Sequence, residues 1–244
     1  MVKSRLHATA IHLAVSVAVA ALAASVVFLF WYPYPYSKIS GGMKMFMLLI
    51  AIDIVVGPVL TLVIFMPQKT RRALVFDFSI IGILQIVALV YGLWSLSIAR
   101  PTYLVFENSQ FTIVRAIDVP AEQGHAILAA LQGGSKIGPK MVALRPFKDA
   151  REQFDVTMDA LGGVPLATRT ELWQPFEASV PMVLQVARPI SNSPRFSALL
   201  AVNRPDLVQK GLRYLPLQGA QGFWTAILDE NARIVDFVEL EPFD

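Results

Sequence analysis

The stretch LLIAIDIVVGPVLTLVIF, residues 48–65, holds a carboxylate and a Gly-Pro pair inside an otherwise apolar run. It belongs to one of three apolar runs in the first hundred residues, at about 10–32, 43–66 and 76–98. An α-helix rises about 1.5 Å per residue and the hydrocarbon layer of a membrane is about 30 Å thick, so each run is long enough to cross it. The sequence therefore predicts three transmembrane helices within residues 1–98.

Basic residues in the short loops predict how these helices are oriented. The N-terminal tail has Lys3 and Arg5, and the loop at 67–72 has three more basic residues, whereas the loop between the first two runs has Lys38. Because cytoplasmic loops carry the excess of lysine and arginine, we expect a cytoplasmic N-terminus and an external 99–244. The alternative for the first run is a cleaved signal peptide. The run is longer than the apolar core of such a peptide, so an uncleaved anchor is expected.

Charge and cysteine content narrow the class of protein. Residues 1–98 have a net charge of +5 and residues 99–244 have −2, which together give the formal +3 of the chain. The positive charge thus belongs to the membrane-spanning part, and no nucleic-acid partner is predicted. The chain has no cysteine, as is ordinary for a disulfide-free periplasmic domain. We expect a multi-pass protein of the bacterial inner membrane with a periplasmic C-terminal domain.

Residues 99–244 have the size and mixed polarity of one α+β domain. Two strands at 102–106 and 111–115 flank the turn-prone Glu107-Asn108-Ser109, and a second hairpin is predicted around Asp229-Glu230-Asn231. Between the hairpins, a strand is predicted in MVALRPF. One helix is predicted from Asp118 and Pro120 to Gly133-Gly134, another at about 148–161, and two consecutive helical segments within 192–212. Hairpins at both ends predict a sheet that joins the two ends of the domain.

Catalytic and metal-binding patterns are not found in this sequence. His7 and His12 fall near the start of the first helix and His125 falls in a predicted outer helix, so no histidine cluster is expected to hold a metal. There is no cysteine, no phosphate-binding loop and no Gly-x-Ser-x-Gly turn. We therefore expect neither an enzyme nor a bound cofactor.

Asp53 is an acidic residue in the middle of an apolar run, where a carboxylate is not expected. A carboxylate near the membrane centre costs about 2.5 to 3.5 kcal/mol on insertion scales, so it marks a candidate functional site. Counting residues along the helices puts Gln85, Tyr91 and Ser25 at similar depth, and we expect a protonated Asp53 to hydrogen-bond to one of them. Gly57 and Pro58 complete this predicted intramembrane polar layer, because Pro58 should kink the helix and free backbone groups.

Three roles are open for this layer at the level of residues alone. It could fix the register of the three helices by an internal hydrogen bond, recognise a membrane helix of another protein, or move protons or ions. A proton relay needs more than one deep acid, and Asp77, the other acid of residues 1–98, lies at the predicted cytoplasmic edge.

Several segments of the chain resemble one protein family in their order and local sequence. They are FLFWYPYPYSKISGG (28–42), DIVVGPVLTLVIF (53–65), LVFDFSIIGILQIVALVYGLW (74–94), ARPTYLVFENSQFTIVRA (99–116) and RYLPL (213–217). The chain is similar in these segments to the type IV pilin accessory proteins of the TfpX/TfpZ group. No catalytic residues come with this resemblance.

The resemblance implies an inner-membrane protein of a Gram-negative bacterium that assists type IV pilus biogenesis. Its implied partners are the major type IV pilin and other pilus assembly proteins, in addition to the lipid bilayer. Residues that match the sequence of the family are candidate partner-contacting sites. Outside the polar layer, the candidate interface consists of Trp31, Tyr32, Pro33, Arg100, Pro101 and Tyr103. The alternative function is a membrane-anchored periplasmic sensor or small-ligand-binding module.

Overall fold

The computed structural model describes residues 2–66, 68–120, 138–208, 211–220 and 222–241. The chain forms two units, one of Met1–Ser37 and Gly41–Arg100 and the other of Lys38–Ser40 and Pro101–Asp244. The first is helical and the second contains the sheet. We call them the helical unit and the sheet domain.

Three long helices make up most of the described helical unit, and a short helix after the first one ends within the segment Lys38–Ser40 of the sheet domain. Helix α1 (Val2–Val26) continues into a π-helical turn at Val27–Trp31, and is followed by α2 (Tyr36–Ile39), α3 (Gly42–Ile64) and α4 (Arg71–Ile98). Three of these segments are long and apolar enough to cross a membrane. The predicted fold class, three such helices followed by an α+β domain, is confirmed.

Packing in the helical unit centres on α3, which contacts both α1 and α4. Tyr32 anchors one end of this packing, because it is fully buried and its hydroxyl donates a 3.0 Å hydrogen bond to the carbonyl of Leu96. Gly42 lies against the ring of Tyr32 and leaves no room for a β-carbon. The remaining buried members of this core are Ala23, Val27 and Phe46.

The sheet domain is built on one mixed eight-stranded sheet. Seven strands run in the order β4-β3-β1-β2-β6-β7-β8, and β5 pairs with β6. The pairs β1/β3 and β2/β6 are parallel and the others are antiparallel. The strands are β1 (Pro101–Glu107), β2 (Gln110–Arg115), β3 (Lys140–Leu144), β4 (Trp173–Pro175), β5 (Arg188–Pro189), β6 (Arg213–Gln218), β7 (Phe223–Leu228) and β8 (Ile234–Val238).

Both predicted hairpins form. Strands β1 and β2 pair across a two-residue turn in which Asn108 has a φ of 52°, and β7 pairs with β8. The parallel pairing of β2 with β6 joins the two hairpins into one sheet, as the sequence predicted. Asparagine tolerates this left-handed conformation better than most residues, which explains why the first turn could be predicted.

Between the hairpins in sequence, the described residues of the sheet domain form three α-helices: α5 (Ala150–Leu161), α6 (Val180–Val186) and α7 (Pro194–Asn203). Asp149 caps α5 by accepting a 2.8 Å hydrogen bond from the backbone N–H of Glu152. The second helix expected within 192–212 is only a 3₁₀ turn at Pro205–Leu207, where Arg204 precedes the proline. The helix predicted between Asp118 and Gly134 falls largely on residues outside the described ranges.

Candidate functional site

Polar side chains meet inside the helical unit beside a groove of about 320 Å³. All three long helices contribute to its walls. Its polar members are His12 and Ser16 from α1, Asp53 from α3 and Gln85 from α4. The remaining lining residues are Val15, Val19, Phe78, Gly82, Ile86 and Leu89. The groove therefore combines a small polar cluster with mainly apolar walls.

Asp53, Gly57 and Thr61 supply the α3 side of the cluster because of their spacing. Residues four apart lie above one another on a helix, so these three form one stripe. Asp53 is 8% exposed and Thr61 is fully buried. Gly57 lies between them, and a β-carbon there would overlap the side-chain amide of Gln85 and touch the ring of His12. The missing side chain at residue 57 makes room for the cluster.

Gln85 connects the two titratable members of the cluster. Its Nε2 donates to Asp53 Oδ1 at 3.1 Å and to the Asp53 carbonyl at 3.3 Å, while its Oε1 lies 2.7 Å from His12 Nε2. His12 Nδ1 lies 2.5 Å from the hydroxyl of Thr61. A neutral His12 with its proton on Nε2 satisfies every one of these contacts, since it donates to Gln85 and accepts from Thr61.

This arrangement explains how a carboxylate and an imidazole are tolerated in an apolar unit. The carboxylate of Asp53 and the imidazole of His12 are each paired within the unit, through Gln85 and Thr61. An unpaired polar group in a hydrocarbon environment would cost about 2 to 7 kcal/mol. The pairing uses one side of the Asp53 carboxylate. The groove gives a partner from outside the unit a route to the same cluster.

The structure brings together only some of the residues expected in the polar layer. Asp53, Gly57 and Gln85 meet, and Pro58 is buried within α3, which stays helical through this residue up to Ile64. Ser25 is exposed and donates to the carbonyl of Ala21 in its own helix. Tyr91 is 67% exposed, with its ring centroid 5.8 Å from that of Trp94. The expectation that Ser25 and Tyr91 join the layer is therefore wrong in this structure.

The candidate interface residues also divide by burial. Tyr32 and Tyr103 are 0% and 2% exposed, and Pro101 is buried as well. These three stabilise the fold and offer no surface to a partner. Trp31 and Pro33 are partly exposed and Arg100 is exposed, so they keep a surface on which contact is possible.

Sequence reasoning missed His12 and Thr61. The sequence placed His12 near the start of the first helix, at its predicted cytoplasmic end, yet it lies within the membrane-length segment Leu6–Trp31 of the structure. Two signals could have identified the pair. One is the four-residue spacing of Asp53, Gly57 and Thr61, and the other is that a histidine within an apolar helix needs a polar partner.

Among the described residues, no group of three or more histidine, aspartate and glutamate side chains is placed to hold a metal ion. The cluster has one carboxylate and one imidazole, joined through an amide. Hydrogen bonds of the cluster join α1, α3 and α4 to one another.

Comparisons with known proteins give the family. The family model for the fimbrial assembly protein FimB matches residues 1–41, which include α1 and His12. A serogroup E1 fimbrial assembly protein of Dichelobacter nodosus is 32% identical over 217 residues, covering 85% of this chain and 84% of the relative. The chain belongs to the fimbrial assembly protein family.

Further relatives agree with this family. The serogroup I protein of the same organism is 31% identical, again over 85% of this chain and 84% of its own length. The protein of serogroups C1 and C2 is 40% identical over 82 residues, which are 34% of this chain and 63% of that relative. No solved structure gives a significant match. The role in fimbrial biogenesis implied by the sequence resemblance is thus confirmed at the level of the family.

Proposed function

We propose that this protein is an inner-membrane accessory protein of type IV pilus biogenesis, of the TfpX/TfpZ group, that holds the major pilin before assembly. The N-terminal hydrophobic helix of the pilin would lie in the groove beside Asp53, and the periplasmic sheet domain would contact the pilin head. Membership of the fimbrial assembly protein family supports the process. The groove with its polar cluster is the observation that supports the mode of binding.

The composition of the groove suits a membrane helix. Lipid tails are as apolar as leucine, so helices associate in a membrane through close packing at small residues and through hydrogen bonds. Gly82 has no atom within 4 Å of where a β-carbon would stand, so the α4 backbone is open to a neighbour there. Asp53 and Gln85 lie in the same groove and supply the hydrogen-bonding groups.

The exposure of α4 also suits a missing neighbour. Within Arg71–Ile98, only Ile81 and Leu96 are buried. Ile86, which lines the groove, is 63% exposed. A helix so little covered by its own chain has a long apolar face on which lipid or a second protein can pack.

Site-specific photocrosslinking in living cells tests the docking. A photoreactive amino acid at Ile86 should capture the major pilin. The matched control is Leu84, which is 59% exposed but does not line the groove. Capture of pilin from position 86 and not from position 84 is expected, and lipid adducts alone at both positions would refute the docking.

A variant that fills the groove tests the same proposal by its effect on pili. Gly82 lines the groove, and a β-carbon there meets no atom within 4 Å, so Gly82→Leu adds a bulky side chain at the groove and Gly82→Ala is the matched control. We expect the leucine variant to lose pilin capture and surface pili while the alanine variant retains both. Normal piliation with Gly82→Leu, at wild-type protein levels, would show that the groove is not used.

The proposed orientation has its own test. Alkaline phosphatase is active only outside the cytoplasm, so its fusion after Asp244 should be active if the sheet domain is periplasmic. A fluorescent fusion at the same site that is bright, together with an inactive phosphatase fusion, would reverse the orientation and remove the proposed contact with the pilin head.

The sensor or ligand-binding alternative is supported by one observation. The sheet domain has a cavity of about 570 Å³ with both polar and apolar lining. That volume is within the range of small-molecule sites, about 300 to 1,000 Å³. Retention of normal surface pili after deletion of the gene would favour this alternative over the pilin-binding function.

A further inference from the structure

The cavity of the sheet domain is built around a buried carboxylate. Glu107, the last residue of β1, lines the cavity and is only 9% exposed. Its Oε1 accepts hydrogen bonds from the hydroxyl of Thr112 at 2.5 Å and from Nε2 of Gln110 at 3.3 Å. Both donors are neutral. Within the described ranges, Glu107 is in no ion pair.

The arginine among the described lining residues, Arg115, is already engaged in an ion pair. Arg115 donates from Nε and one terminal nitrogen to the two oxygens of Asp118, at 2.9 and 2.8 Å. Its guanidinium helps to lower the pKa of Asp118, although burial of that carboxyl acts against this. Arg115 and Asp118 carry opposite charges, so among the described lining residues the carboxylate of Glu107 contributes one further negative charge.

A second polar group of the wall has no hydrogen bond. Ser40 is 7% exposed, and its buried hydroxyl has no partner among the described residues. It comes from the segment Lys38–Ser40, which belongs to the sheet domain although it precedes α3. Ile39 is fully buried, and a β-carbon on Gly219 would lie 2.7 Å from its carbonyl oxygen. This contact holds Ser40 at the wall.

Most of the remaining lining is apolar, although Thr168 and Gln218 add two polar side chains. Ile113 and Val114 come from β2, and the loop after α5 contributes Val164, Pro165 and Ala167. Such side chains favour an alkyl chain over a polar ligand, because an alkyl chain buries apolar surface on binding without losing hydrogen bonds to water. The cavity thus pairs one uncompensated carboxylate and one unsatisfied hydroxyl with an apolar wall.

We propose that this cavity binds an alkylammonium group, with the ammonium at Glu107 and the alkyl stem along the aliphatic wall. An ammonium has three N–H donors and no acceptor, which suits a carboxylate and a hydroxyl that can accept. A divalent cation fits less well, because Ca²⁺ needs six or more oxygen ligands and the described residues hold no group of three acidic or histidine side chains. The site is independent of the proposed pilin groove.

The ligand chemistry is tested with the full-length protein in detergent micelles by isothermal titration calorimetry. The probe is Nα-acetyl-L-lysine methylamide, and its control is Nα-acetyl-L-norleucine methylamide, which has a similar alkyl chain without the ammonium. We expect saturable binding of the lysine compound and at least about tenfold weaker binding of the norleucine compound. Absence of saturable binding at millimolar lysine compound, or equal affinity for both, would overturn the proposal.

Two sources could present this group, and 1,5-diaminopentane separates them. If the protein binds the lysine compound but not the diamine, the result supports a lysine side chain of a polypeptide as the ligand. Comparable binding of both supports a free amine. Either result retains the alkylammonium chemistry.

Variants locate the binding. Glu107→Gln removes the charge and should weaken binding of the lysine compound at least about tenfold, whereas the exposed Glu177→Gln should leave it unchanged. If near-UV circular dichroism shows that Glu107→Gln is misfolded, Val164→Trp answers the question, since Val164 is 43% exposed and a tryptophan there narrows the cavity. Wild-type affinity in a folded Glu107→Gln or Val164→Trp protein would contradict the site.

Discussion

Replacing Gly57 with alanine adds one methyl group at the most crowded point of the polar cluster. The new β-carbon would overlap the amide of Gln85, which must turn away. Gln85 would then lose its two hydrogen bonds to Asp53 and its contact with His12. At about 0.6 kcal/mol each, the average for hydrogen bonds between membrane helices, these three interactions contribute about 2 kcal/mol. Alanine has a greater helix propensity than glycine, which offsets up to about 1 kcal/mol of this loss in stability.

The expected net effect of Gly57→Ala is therefore a loss of about 1 kcal/mol in the free energy of unfolding. Gly82→Ala is the matched control, because it makes the same chemical change in α4 where no atom lies within 4 Å, and it should be neutral or slightly stabilising. Denaturant unfolding in micelles, followed by circular dichroism, measures both. In a Gln85→Ala background, Gly57→Ala should no longer destabilise. Equal stability of the two glycine variants in the wild-type background would refute this account of Gly57.

Two predictions concern the sheet domain. The Arg145 guanidinium, together with the Lys148 backbone N–H, lowers the pKa of Glu152 to about 2. A lowered pKa stabilises the fold above the unfolded value near 4.5, and this contribution disappears as pH falls towards 2. Glu152→Gln should thus unfold at a lower temperature than Glu177→Gln at pH 7 but not at pH 2, as measured by near-UV circular dichroism. A difference in unfolding temperature that does not change with pH would exclude the lowered pKa as its cause. Gly219→Ala should lower the stability of the domain by about 1 to 3 kcal/mol, because the backbone of Ile39 must move, and unchanged thermal unfolding would contradict it.

The depth of α4 relative to α3 could be predicted from the sequence, but rotation about the helix axes could not. Counting residues placed Gln85 near Asp53, and the two are hydrogen-bonded. Tyr91 is six residues from Gln85, which is about 240° around the helix, so it points to another side. For α1 the residue count gave the wrong depth, because it pointed to Ser25, whereas His12, thirteen residues earlier, is the residue that meets Gln85.

Strand β6 shows a similar limit in the sheet. Pro216 argues against a central strand, because proline has no N–H for a ladder. In the structure, β5 pairs with β6 at Arg213 and Tyr214, and β2 pairs with it at Leu217 and Gln218. Pro216 falls in the gap between these two partners, so its missing donor costs little. Only the three-dimensional arrangement of three strands reveals that gap.

The sheet domain is discontinuous in sequence, because Lys38–Ser40 belongs to it while the intervening residues form α3 and α4. A recombinant fragment that starts at Pro101 would be made without the tripeptide that covers Gly219 and contributes Ser40 to the cavity. Such a truncated product would expose apolar surface that the intact polypeptide conceals. Crystallisation trials or compound screens on the isolated domain should therefore fuse residues 36–41 to it through a linker, or keep the whole chain.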